Sequence, residues 1–228
     1  MDGTGMNDAV LQLDPLRRLV LAYAKKPDRE RYALVFALDA RFADVIRSTS
    51  ETLIGQMRLT WWRDILTKAV TERPTGEPLV ALINQAEQKG ADLSLLLHLL
   101  EGWEYLLEDF PWDDRQFDQY AEKRGGGLFS FASGGSSPLS MKQRKAAQAW
   151  ALWDFARYCS DEKMREQAFN KCIQLYSSDD PVSFDRSGRP LSIFCKLTQS
   201  DVKKGSLTAD LYRPAVASKI IWHGVTGC

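Results

Sequence analysis

A chain of 228 residues, 44% hydrophobic and 26% charged, can bury one sizeable core and is most simply a single domain. Its 30 Lys and Arg balance 30 Asp and Glu, so the formal net charge is zero and the broad basic footprint of a nucleic-acid binder is absent. The four cysteines form no CxxC pair and only two histidines are present, which excludes the usual zinc patterns and reads as reduced thiols in a cytoplasmic protein.

Residues 1–12 read as a loose N-terminal arm, without the basic and apolar regions of a signal peptide, ahead of a single domain over 13–228. Asp14-Pro15 is an N-cap followed by proline at the first helical position, and Leu16, Leu19, Val20 and Tyr23 continue a short helix. Pro27-Asp28 starts the next, through Tyr32, Val35, Phe36, Leu38, Phe42 and Val45, with Asp39 and Asp44 interspersed. Ser48 and Glu51 have capping-box spacing and open a helix running to about Val70. In it Ile54, Met57, Trp61 and Ile65 share one face, and Leu59, Trp62 and Leu66 a neighbouring one, which predicts a central helix packed on several sides. Arg58 on such a helix must then meet an anion, either a carboxylate of the chain or a ligand.

Further helices are predicted over 79–88, from Asp92 to a stop at Pro111, over 114–132, 141–160 and 162–176, and at 191–197 and 214–222. Gly125, Gly126 and Gly127 interrupt the 114–132 pattern at about 1 kcal/mol each, so they mark a break or a close backbone approach. Residues 134–138 are a loop, and 177–190 read as an irregular excursion. No alternating strand stands out, and no apolar run reaches the roughly 18 residues of a membrane span. The fold class is all-α.

Six segments then fall into one order: QMRLTWWRDIL (56–66), GEPLVAL (76–82), LEGWE (100–104), YAEKRGGGL (120–128), AWALWDFAR (149–157) and HGVTG (223–227). Together they resemble the squalene/phytoene synthase family from about residue 15 onward. The resemblance implies an isoprenoid-synthase-type helical bundle with a central cavity for prenyl diphosphates. Active members join two of these head to head, with magnesium held by two aspartate-rich motifs to neutralise the leaving diphosphate.

This chain departs from that pattern. In the first motif only Asp44 is in register, with Ala43 and Arg47 at the other positions; in the second, Tyr158 stands first, and Asp161 or Glu162 is the nearest match to the next. The resemblance makes Asp44, Arg58, Tyr120, Gly125, Gly126, Asp154 and Arg157 candidates for the ligand cavity, with Asp44, Asp161 and Glu162 the remaining metal candidates. Each has a plainer reading: arginines paired with Glu51, Asp64 or a facing carboxylate, aspartates (Asp39 included) as solvated or capping groups, glycines as a helix break, tryptophans as core. Three functions follow. The first is a family member that keeps the isoprenoid cavity without magnesium-dependent transfer, as a binding or assembly protein near the branch linked to respiratory complex I assembly. The second is an active prenyl-diphosphate transferase using Mg2+, and the third a structural helical partner without lipid. A prenyl diphosphate or lipid and a membrane-associated protein complex are the partners these imply, in the cytoplasm or peripheral to a membrane.

Overall fold

The computed structural model describes residues 3–49, 51–135, 137–176 and 182–226, with side chains from Met6 onward. Expectations touching Ser136, residues 177–181, Gly227 and Cys228 lie outside these. The described residues form twelve α-helices and no strand. They are α1 (Gly3–Leu11), α2 (Pro15–Leu21), α3 (Arg29–Arg47), α4 (Thr52–Thr67), α5 (Pro78–Gln88), α6 (Ser94–Glu104), α7 (Asp114–Ala121), α8 (Gly127–Ala132), α9 (Met141–Tyr158), α10 (Glu162–Leu175), α11 (Arg189–Lys204) and α12 (Pro214–Thr226). A π-helical segment, Glu122–Gly126, joins α7 to α8. Where a loose arm is expected, Gly3–Leu11 are helical: α1 packs on α3 and α5, and Ala9 within it and Leu13 just after it are buried.

Local signals set several helix ends. The Asp14 carboxylate accepts from the Arg17 amide at 3.0 Å, with Pro15 in the first helical position. Ser140 and Gln143 close a capping box on α9, and Gly205 ends α11 in the left-handed region at φ 65°.

Two helices carry the core. Every residue of α3 from Tyr32 to Asp39 is buried, and every residue of α9 from Ala149 to Ala156. Helices this apolar around their circumference must be covered on all sides. Around α3 lie α1, α2, α4, α5, α6 and α8; around α9 lie α7, α8, α10, α11 and the π segment. Aromatic contacts tie the halves together, with Phe36 of α3 against Phe194 of α11 and Phe194 against Trp150 of α9, both at 5.4 Å between ring centres.

Helix α4 is not the central helix its sequence predicts. Its buried residues are Gly55, Leu59, Trp62, Ile65 and Leu66, which is one face, whereas Leu53, Ile54, Met57 and Trp61 are exposed. Nor does a Ser48–Glu51 capping box open it: Ser48 is the C-cap of α3, and Glu51 is the N-cap with no side-chain bond. Arg58 therefore sits in solvent, donating to the Ser48 and Thr49 hydroxyls at 3.1 and 3.4 Å, and the buried anion that reading required has no role here. Arg63 does find carboxylates, Glu104 at 2.5 Å and Glu101 at 3.7 Å, both on α6.

The glycines are a seam of close helix approach. A β-carbon at Gly102 of α6 would overlap the backbone of Arg124, and one at Gly125 would overlap the Ala147 carbonyl of α9. The π segment is thus wedged between α6 and α9, with no room for a methyl group on either side.

These placements separate two adjacent tryptophans. Trp62 is 3% exposed and meets the Phe42 ring edge-on, whereas Trp61 is 42% exposed. Trp62→Ala is expected to cost about 3–5 kcal/mol. Trp61→Ala and Arg58→Met, which remove surface contacts, are expected to cost under about 1 kcal/mol each. Urea denaturation of the three variants checks this, and a large loss at Trp61 would mean that its face is covered.

Candidate functional site

A cavity of about 590 Å³ opens between α2, α3, α6 and α9, with Ala40, Ala43, Ile46, Leu106, Phe110 and Phe155 supplying most of its apolar wall. Its size is that of a small-molecule site. The charged and phenolic groups on its wall are Asp14 and Arg17 from the start of α2, Asp44 and Arg47 from the end of α3, Tyr120 and Arg124 from α7 and the π segment, and Asp154 and Tyr158 from α9, with Gln12 and Ser160 beside them. Trp103 lines it from α6 and Tyr212 from the residues before α12.

Arg124 anchors the closed end. Its Nε donates to Asp39 Oδ1 at 3.1 Å, Nη2 to Asp39 Oδ2 at 3.2 Å and to Asp154 Oδ2 at 2.5 Å, and Nη1 to the Tyr120 hydroxyl at 2.6 Å. The guanidinium also lies 4.3 Å from the centre of the Trp103 ring and 5.1 Å from that of Trp150. Asp39 receives two more donors, the Trp103 indole at 2.7 Å and Arg17 Nη2 at 2.6 Å, so both its oxygens are occupied. Arg17 bridges back to Asp14 at 2.8 Å. The seam at Gly102 and Gly125 delivers Arg124 to this point, because only close approach on both flanks puts its side chain between α3, α6 and α9.

The electrostatics follow from this packing. Burial alone would raise the Asp39 carboxyl, but Arg124 and Arg17, with hydrogen bonds from Arg124 and Trp103, hold it below the ordinary carboxylate range. Desolvation works against the Arg124 and Arg17 cations, yet the facing carboxylates raise both above the usual guanidinium value. Burial raises the Tyr120 hydroxyl well above the usual phenol value, so it stays protonated.

Of the residues singled out from sequence, Asp44, Tyr120 and Asp154 meet at this cavity. The others do not. Arg58 is on the outer side of α4, lining an adjoining groove of about 380 Å³ with Trp61 and Ser48 that shares Gln12 and Asp44 with the cavity wall. Arg157 turns away, donating to the Thr208 carbonyl at 2.6 Å and lying over Trp153. Gly125 and Gly126 serve the helix seam and its flank, Gly126 facing the Glu122 side chain. Asp161 caps α10 through the Met164 amide, and Glu162 is exposed and paired with Arg165. His98 is an exposed helix residue, and His223 meets the Ser192 hydroxyl at 3.1 Å. Asp39 is neither solvated nor a cap: it is wholly buried at the centre of the network. Sequence reasoning passed over Arg17, Asp39 and Arg124 as site residues. The available signal was a charged residue inside an unbroken apolar run on α3 and an arginine one turn after Tyr120, against the glycines.

The magnesium implied by the resemblance does not fit these residues. Asp44 pairs with Arg47 at 2.6 Å, the neighbouring motif position is Ala43, and Tyr158 offers a phenol across the cavity. Asp39 is saturated by arginine and indole, and one Asp154 oxygen is taken by Arg124. Among the described residues no group of three or more His, Cys, Asp or Glu converges on a point where a cation could sit.

Because its folded pKa lies below the unfolded value, Asp39 contributes stability that is present above about pH 4 and lost as pH falls through the folded pKa. Asp39→Asn leaves two buried guanidiniums short of a counter-charge, with an expected cost of about 3–5 kcal/mol at pH 7. It should also lose much of the fall in stability below about pH 4. Denaturant midpoints over that range measure both effects, and an unchanged acid limb in the variant would show that Asp39 does not carry it.

Comparison with known proteins follows the same lines. No curated protein sequence matches the chain. A solved structure described as a dehydrosqualene synthase in complex with ligand superposes over 98% of this chain and 96% of its own, with a TM-score of 0.68 at 11% identity, which establishes a shared fold. The squalene/phytoene synthase family model matches residues 16–165, spanning the cavity helices α2 to α9 and the start of α10. With that match over most of its length, and with the helical bundle and cavity in place, the chain belongs to the squalene/phytoene synthase family.

Proposed function

We propose that this protein is a divergent family member that keeps the helical cavity as an isoprenoid-binding site and does not carry out magnesium-dependent prenyl transfer, acting as a binding or assembly protein. The observation that carries this reading is the state of the acidic groups around the cavity. Diphosphate leaves only when its charge is balanced, and balancing it through magnesium needs carboxylates free to coordinate. Here Asp39 is committed to Arg124 and Arg17, Asp154 gives one oxygen to Arg124, Asp44 is paired with Arg47, and Ala43 and Tyr158 hold motif positions. The apolar wall, by contrast, is intact, and it supports a role in which the molecule is held and not converted.

The competing reading is an active head-to-head transferase. It draws on Asp44 of α3 and Asp154 of α9, which face one cavity from two helices. The two readings differ in a diphosphate-release assay with farnesyl and geranylgeranyl diphosphate, with magnesium or manganese added. Release at the no-protein background is the expected result. Metal-dependent release that disappears in Asp44→Asn would restore the transferase.

A further inference from the structure

We infer that the ligand of this cavity is an uncharged, oxygen-headed isoprenoid amphiphile, such as a prenyl alcohol, and that prenyl diphosphates are disfavoured. The inference rests on the reading of the cavity as a binding site and adds the chemistry of its occupant.

The charge of the wall is closed. Three guanidiniums, Arg17, Arg47 and Arg124, face three carboxylates, Asp14, Asp44 and Asp154. Asp39, directly behind Arg124 and Arg17, adds a fourth negative charge. The polar end of the cavity is therefore slightly negative before any ligand arrives. A diphosphate would surrender its hydration to enter, meet excess negative charge, and find Arg17 and Arg124 engaged with buried carboxylates, with only the exposed Arg47 beside Asp44 left to meet it. An uncharged head pays none of the ionic desolvation.

Hydrogen-bonding capacity nonetheless remains for a small polar head. The Tyr120 hydroxyl accepts from Arg124, which leaves its own proton free to donate, and burial keeps that proton in place. Arg17, on the same wall, engages Asp14 and Asp39 through its terminal nitrogens, and its Nε–H is buried away from the cavity surface. Asp154 uses Oδ2 for Arg124, leaving Oδ1 as an acceptor at the wall. The Tyr120 donor and the Asp154 acceptor, beside a largely apolar wall, match a hydroxyl on a hydrocarbon chain.

The test is calorimetric titration and thermal shift on the full chain. The probes are farnesol and geranylgeraniol, each below its aggregation limit, against farnesyl diphosphate with and without magnesium. Farnesol is expected to bind at least about tenfold more tightly than the diphosphate, with no gain from magnesium. Ala43→Phe, which fills the cavity from α3, should abolish alcohol binding without lowering the melting temperature. Tyr120→Phe should weaken the alcohol by about three- to tenfold, the worth of one hydrogen bond. Alcohol binding that survives Ala43→Phe would be surface partitioning and would overturn the inference. Diphosphate binding as tight as the alcohol's, without turnover, would overturn it and leave the binding-protein reading standing. Metal-dependent turnover, or no binding of either probe, would overturn both.

Discussion

Burying the Arg124 guanidinium is the constraint on which the rest of the molecule depends. An ion of this kind is tolerated in a protein interior only when opposite charge and hydrogen-bond acceptors surround it. Here they come from separate elements: Asp39 from α3, Asp154 from α9 and Tyr120 from α7, with the Trp103 ring of α6 stacked alongside. Arg17 from α2 supplies the second cation that keeps Asp39 balanced. Each helix must reach its neighbours at one rotation and one height for these contacts to form together. The network thus fixes the mutual register of five helices and, with it, the shape of the cavity whose end it closes.

The same network sets the cavity's chemical character. Counter-charge provided by covalently held guanidiniums cannot be exchanged or withdrawn, and arginine keeps its proton at any physiological pH. A metal site in the same place would respond to metal supply, and its coordination could open to admit a leaving group. The Arg47–Asp44 pair at the rim extends the effect, because it engages the one in-register carboxylate of the first motif with a cation from the next turn.

The helical architecture was legible in the sequence because the long apolar runs of α3 and α9 and the proline, aspartate and glycine signals at helix ends are local. The π segment was legible only as a disturbance: three glycines signalled a break, whereas the chain continues through them as a wider turn. Helix α4 shows the limit of pattern reading. Ile54, Met57 and Trp61 fall on an apolar face, but whether a face is covered depends on helices far away in sequence, and none reaches that side. Arg58 was misplaced with it. The site was half legible: Asp44, Tyr120 and Asp154 lie on the cavity, whereas Asp39 and Arg124 gain their roles from a partner 85 residues distant, a relation no local pattern expresses.

The π segment also limits what lengths of chain this fold can accept. A π turn is an α-helix carrying an extra residue, and each residue advances a helix by about 100°. Adding a further residue between Glu122 and Gly126, where the turn already holds its extra one, would swing everything beyond it by that angle. Leu128, Phe129, Phe131 and Ala132, all buried in α8, would leave the core together, and Arg124 would rotate out from between its carboxylates. Substitutions in this stretch can be repaired by neighbouring side chains, but a change of length cannot. Relatives that share the Tyr120–Leu128 segment should therefore show it free of gaps even where the loops around it differ in length.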